Sequence, residues 1–293
     1  MPLNAGLADN RCNDECGSGR RGDQGRKTAG NPARLVPATC IGICVGRSLG
    51  LWIVLGIGMI VYLVEAWNSE LFQKYAPGYI SGLGVTLTLV TVSIVLGAVL
   101  SVPVAYARMS RNRTLSSFAY AYVYFFRGTP LLTQVFLIYY GVGSFRPALE
   151  AVGLWGFFRE AWYCAIFSFT LNTAAYQAEI LRGAIESVPR GQWEGAASLG
   201  LHKLQTLRKI ILPQALIVAL RPYGNEIILM IKGSAIVALI TVYDLMGITK
   251  LTYSRTFDFQ SYVWAAIIYL IIVETLRHVV EWIERRITIH LQR

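Results

Sequence analysis

The sequence predicts an all-α protein that crosses a membrane several times, and three observations carry that prediction. Hydrophobic residues make up 54% of the 293 residues and charged residues 15%, where a soluble domain carries roughly a quarter charged. The apolar residues fall in long blocks: between Lys74 and Arg108 no side chain is charged, ample for a helix across a ~30 Å hydrocarbon core. The basic residues behind the net charge of +10 sit at the ends of those blocks, as the orientation rule for membrane proteins requires. They form no stripe interleaved with aromatics, which argues against a nucleic-acid partner.

Residues 1–47 mix Gly, Asn, Asp and Arg without apolar periodicity and read as a disordered cytoplasmic tail. Cys12, Cys16, Cys40 and Cys44 form two C-x3-C pairs there. Zinc motifs use tighter pairs in ordered modules, so unpaired thiols are the simpler reading and no metal is expected. Residues 48–66 form the first predicted span, part of an extra N-terminal helix and linker at 48–77. It reads as retained, because no small-residue cleavage site clearly follows. Five more spans are predicted at 80–107, 118–140, 161–185, 223–247 and 262–283. Cys164, inside the fourth of the six, reads as a small buried hydrophobe.

Loop charge sets the orientation. Arg108, Arg111 and Arg113 mark one cytoplasmic connection, Arg190, Lys203, Arg208 and Lys209 the next, and Arg285, Arg286 and Arg293 the C-terminal tail. The opposing loops are nearly balanced, with Lys250 and Arg255 beside Asp258 in the last. Six crossings then place both termini in the cytoplasm.

The loop at 187–213 has a physical logic of its own. Val188-Pro189 breaks the preceding helix. A short helix is expected from Gln192, with Glu194 in its first turn against the helix dipole. Gly195, Ala196 and Ala197 give it a face without bulk, and Gly200 permits a turn through positive φ. Leu204, Leu207, Ile210 and Ile211 then recur at helical spacing, and Pro213 is expected to end or kink that second helix. An ordinary surface hairpin is the plainer alternative.

Ionisable groups inside spans cost ~2.5–3.5 kcal/mol on insertion scales and default to functional hypotheses. Arg127, Glu179, Arg182, Glu226, Lys232 and Glu274 qualify. Gly128, Thr129 and Pro130 after Arg127 would loosen helical hydrogen bonding and free backbone groups. The arginine then either faces solute or pairs with a neighbouring carboxylate. Glu179 and Arg182, at i and i+3, read as a structural pair. Asn172 and Gln177 lie deeper, able to bond a polar solute or bridge helices. Asn225, Glu226, Lys232 and Ser234 stand in the fifth span, and Glu274 and Arg277 look structural.

Four segments together resemble a known family. Glu194-Gly195-Ala196, three residues, Gly200, nine residues, then Ile210, Leu212 and Pro213 match the EAA signature of ABC-importer permeases, departing only at Gly195, where Ala is usual. Arg127-Gly128-Thr129-Pro130-Leu131, the Leu-Asn-Thr-Ala-Ala-Tyr block at 171–176, and Asn225-Glu226 followed by Lys232-Gly233-Ser234 are similar to segments of polar amino-acid importers, in the histidine, arginine, glutamine and opine branch. The resemblance implies a type I ABC importer permease with a five-helix core over residues 78–293, plus the extra N-terminal transmembrane helix. It implies a multi-pass subunit of the bacterial inner membrane that passes polar, basic or opine-type amino acids and binds no cofactor. The chain has no Gly-x-x-x-x-Gly-Lys phosphate loop, so ATP and Mg belong to a partner. The implied partners are two ABC ATPase subunits, a second permease (identical or homologous) and an extracytoplasmic solute-binding protein. Glu194, Gly195, Ala196, Ala197, Gly200, Ile210, Leu212 and Pro213 would couple to the ATPase. Arg127, Gly128, Thr129, Pro130, Asn172, Gln177, Asn225, Glu226, Lys232 and Ser234 would line the solute pathway. An importer for another small polar solute is the alternative. An ion-coupled secondary transporter leaves the EAA spacing unexplained, and no catalytic motif points to an enzyme.

Overall fold

The computed structural model describes residues 69–288 and, ahead of them, residues 54, 56–58 and 61. The tail at 1–47 and all but those positions of the span at 48–66 lie outside the described residues. Helix α1 (Ser69–Arg108) is 40 residues long and starts earlier than the apolar run. The apolar count measures what lipid tolerates, whereas Glu70 and Lys74 are polar positions that a helix end readily carries.

The predicted span at 118–140 is two helices. Asn112 caps α2 (Arg113–Gly128), its Oδ1 accepting from the Thr114 N–H at 3.1 Å. Thr129 and Pro130 are then extended before α3 (Leu131–Phe136), which runs on as a π-helical segment, Leu137–Val142. Proline drives its predecessor out of the helical region, so Thr129 ends α2. Short helices α4 (Arg146–Ala151) and α5 (Trp155–Phe158) lead to α6 (Ala161–Glu186).

After α6 come α7 (Arg190–Ser198), α8 (Lys203–Thr206), a π-helical segment Leu207–Ile211, α9 (Leu212–Gly233) and a 3-10 segment Ser234–Ile240. The span expected at 223–247 is therefore displaced: its helix begins at Leu212, and Thr241 turns left-handed (φ 65) after it. Pro213 does not end the helical run. It stands in the first turn of α9, directly after the wide π turn. That turn relaxes the contact between a proline ring and the carbonyl four residues earlier. Helix α10 (Leu245–Thr256) is a helix that sequence reasoning missed, because Lys250 and Arg255 gave the stretch the look of a loop. The chain closes with α11 (Gln260–Thr288).

Among the described residues, Gln73–Arg108, Lys203–Ile240 and Gln260–Ile287 are long and apolar enough to cross a membrane, with Leu131–Val142 as a shorter apolar helix. Helix α6 is less apolar because it is the inside of the protein: Ser168, Thr170, Asn172, Thr173 and Gln177 are all buried on it. Two cores flank its middle. One gathers Leu89, Val135, Phe169, Met230 and Val237; the other gathers Ala105, Leu181, Ile185, Ile211 and Ala215. Between them α1 and α6 nearly touch at Gly97. A Cβ there would lie 2.4 Å from Thr173 Cγ2 and 3.3 Å from the Ala174 nitrogen. Gly97→Leu is therefore expected to destabilise the bundle by about 1–3 kcal/mol or more through overpacking. Melting in detergent measures it, with Gly84→Leu as control, since nothing lies within 4 Å of a Cβ at Gly84.

Candidate functional site

Two places carry the candidate residues: the hairpin at one end of the bundle and the polar middle. In the hairpin, α7 starts at Arg190, so Glu194 is its fifth residue and not in the first turn, as the sequence suggested. The helix closes through a Schellman motif. The Leu201 N–H donates to the Ala196 carbonyl (3.1 Å), the Gly200 N–H donates to the Ala197 carbonyl (2.9 Å), and Gly200 sits at φ 72. Two bonds thus satisfy carbonyls left over at the helix end, at the cost of a conformation that glycine adopts freely.

The hairpin has two distinct faces. Trp193, Leu207, Ile210 and Leu212 pack inward against the core of Ala105, Ile185 and Ile211, and Ala196 is buried with them. Glu194, Gly195, Ala197 and Ser198 face outward, beside Leu199 at 80% and Leu204 at 66% exposure. The small residues expected to form one bare face therefore divide, with Ala196 inward and Gly195 and Ala197 outward. Nothing lies within 4 Å of a Cβ built at Gly195.

In the middle of the bundle, the break at Thr129-Pro130 leaves helical carbonyls without their usual donors. Gln134 supplies them: its Nε2, with two hydrogens to share, lies within bonding reach of the carbonyls of Phe126 (2.9 Å) and Thr129 (3.0 Å) and of Thr129 Oγ1 (2.8 Å). Asn172 Nδ2 donates to the same Phe126 carbonyl (3.1 Å) and to Gln134 Oε1 (2.9 Å), which ties the break to α6. Sequence reasoning missed Gln134. A glutamine four residues after the proline, in an apolar run, was the available signal.

A second chain of bonds crosses the bundle. Gln177 Nε2 donates to the Ile94 carbonyl (3.2 Å) and Thr173 Oγ1 (3.0 Å), and Thr173 Oγ1 donates to Glu226 Oε1 (3.0 Å). Glu226 is 6% exposed. Asn172 and Gln177 thus act as bridges between helices in this arrangement. Thr173→Val keeps the shape but strips the buried carboxylate of that donor, expected to cost about 1–3 kcal/mol. Thr173→Ser should restore it, and paired melting curves provide the check.

Arg127 lies over the ring of Tyr176, 5.2 Å from its centroid, and Arg108 over that of Tyr120 at 4.9 Å. Both arginines, with Tyr124, Gly128 and Glu179, line an open groove of ≈ 360 Å³. Glu179 does not serve Arg127. Arg182 Nε donates to Glu179 Oε1 at 2.6 Å, and Arg108 stands 3.5 Å from its other oxygen, so the pair read from the sequence is joined by a third partner. Ser234 is buried with its hydroxyl donating to the Ile231 carbonyl (2.7 Å), while Asn225 and Lys232 are exposed on α9. The groove therefore unites Arg127 and Gly128, Thr129 and Pro130 make the break behind it, and Asn225, Lys232 and Ser234 stand elsewhere.

The hairpin at one end of the bundle has a bare outward side, and the bundle bonds its own polar middle. Residues 93–289 match the family described as the binding-protein-dependent transport system inner membrane component. The chain belongs to this family. This inner membrane component is 44% identical over 219 residues to the nopaline transport system permease protein NocM of Agrobacterium fabrum, covering 73% of this chain and 91% of that one. It is 37% identical over 218 residues to the arginine ABC transporter permease protein ArtM of Haemophilus influenzae, covering 74% and 95%. A chain from the crystal structure of an amino acid ABC transporter with histidines superposes with a TM-score of 0.67 at 34% identity, covering 75% of this chain and 99% of that one. A chain of the inward-facing MetNI methionine ABC transporter shares the fold, with a TM-score of 0.62 at 21% identity.

Proposed function

We propose that this inner membrane component is the permease subunit of an ATP-driven importer for polar amino acids of the basic or opine type. A separate pair of ATPase subunits would hydrolyse ATP with Mg, a second permease would complete the channel, and an extracytoplasmic binding protein would deliver solute. The outer face of the inner hairpin carries this reading. Leu199 and Leu204 are apolar and uncovered beside the small Gly195 and Ala197, which suits insertion into another protein's groove. A short stiff element docked in a partner passes a rigid-body motion into the bundle.

For the solute, the relatives named for nopaline and arginine transport agree with the chemistry of the Arg127 groove. A guanidinium fork recognises a carboxylate bidentately, and the Tyr176 ring holds the fork in place. Both termini would lie in the cytoplasm of a bacterial inner-membrane protein.

The test is uptake of radiolabelled arginine, nopaline and octopine into vesicles holding this chain with its co-expressed ATPase, second permease and binding protein. ATP-dependent accumulation of at least one is expected, with none in the absence of the ATPase. Accumulation driven by an ion gradient alone would overturn the proposal. ATP-dependent uptake of only non-amino-acid solutes would overturn its substrate half.

A further inference from the structure

Helix α11 leaves a charged face uncovered at a depth where lipid tails cannot take it. Tyr79 of α1 donates to the Ser261 carbonyl at 2.9 Å, and its ring meets that of Trp264 edge-on. Counted along each helix from that contact at a rise of ~1.5 Å per residue, Glu274 is level with about residue 91. Residue 91 is the midpoint of the uncharged stretch 75–107. A second route agrees. Gly97 abuts Thr173 of α6, Thr173 bonds Glu226 of α9, and Gly224 of α9 abuts Val280 of α11.

From that mid-membrane level down the helix, the exposed face carries a ladder of alternating charge about 16 Å long. Arg277 Nε donates to Glu274 Oε2 and its Nη1 to Glu281 Oε1, both at 3.0 Å, and Arg285 follows 3.7 Å from Glu281. Arg277 and Glu274 are 50% and 48% exposed, His278 65%. Beside the ladder, Thr275, Val279 and Trp282 complete an open groove of ≈ 420 Å³.

Hydrocarbon offers these groups no hydrogen bonds, and charges within spans face protein or a water-filled cavity. We infer that this face of α11 packs against a second permease chain. The inference rests on the paired permease of the proposed function and assigns its surface. Signs alternate every three or four residues, so a two-fold axis beside α11 sets each arginine within reach of the other chain's glutamates. Such an interface is self-complementary. Trp282, 59% exposed, lines the groove and gives it an aromatic wall.

The experiment incorporates a photo-crosslinking amino acid at position 275 of the full chain in native membranes, and the adducts are identified by mass spectrometry. A protein adduct to a permease chain is expected. Arg277→Glu should reduce it severalfold at equal membrane level, and the exchange Glu274→Arg with Arg277→Glu should restore it. Labelling of lipid alone, or no protein adduct, overturns the surface. Co-purification of the ATPase is scored on the same sample: if it persists without the adduct, the surface fails and the importer reading stands. If the ATPase is lost while the adduct forms, the importer reading fails and the surface stands.

Discussion

A Gly200→Val variant that reaches the membrane at normal level is expected to lose ATP-driven uptake. Gly200 stands at φ 72 and donates the inner of the two bonds that end α7. A residue with a Cβ costs roughly 1–2 kcal/mol in the left-handed region, and a β-branched one is a genuine outlier there. The chain would escape by unwinding the last turn of α7, and that turn presents Ala197, Ser198 and Leu199. The expected sign is a collapse of uptake to background with ATP hydrolysis no longer stimulated by solute-loaded binding protein. Gly200→Asn should keep much of the activity, because asparagine tolerates this conformation. Gly195→Ala should keep all of it, since the position is open and helix stability rises by up to ~1 kcal/mol. Wild-type uptake in Gly200→Val would remove the hairpin from the mechanism.

Arg127→Ala is expected to raise the KM for amino-acid uptake about a hundredfold, on the order of the 1.5–3 kcal/mol carried by a hydrogen bond to a charged group. The guanidinium lines the groove and is positioned by the Tyr176 ring, while Glu179 is engaged by Arg182 and Arg108. Arg127→Lys keeps the charge but not the planar fork, so an intermediate KM is expected. Tyr176→Phe keeps the ring and should be mild; Tyr176→Leu removes it and should resemble the lysine variant. An unchanged KM in Arg127→Ala at equal membrane level would show that solute passes elsewhere.

What the sequence made legible follows the physics of each signal. The apolar blocks and the charges at their ends located α1, α6 and α11, because burial in lipid constrains composition strongly. A loosening at Gly128-Thr129-Pro130 was readable from the residue types, though not the division of the span into two helices; the positive φ of Gly200 was readable too. The start of α9 was not. Arg208, Lys209 and Pro213 look like loop chemistry, yet a π turn places the proline in a first turn where its missing N–H costs little. Helix α10 was hidden because Lys250 and Arg255 gave its stretch the look of a loop, although Asp244 caps it through the Gly247 N–H at 2.8 Å. At the candidate pathway, Arg127 was visible as a charge in an apolar run. The use of Asn172 and Gln177 as ties between helices depends on which carbonyls face them, and only the packed bundle decides that.

Lys203–Ile240 is one unbroken helical run of 38 residues, long enough to serve as a seesaw plank. It is closely crossed at Gly224, where α11 sets Val280 against the backbone. About 30 Å of plank lies below that crossing and about 27 Å above it, at 1.5 Å per residue in α-helix and 2.0 Å in the 3-10 segment. The two arms are close to equal, so a tilt would neither multiply nor waste displacement. A shove of about 3 Å at Lys203 would swing Ile240 by about 2.7 Å the opposite way, so a push at the hairpin end alone could part the far mouth. Spin labels at Gln205 and Leu239 would report such countermotion as opposite changes in distance to a fixed label on α6.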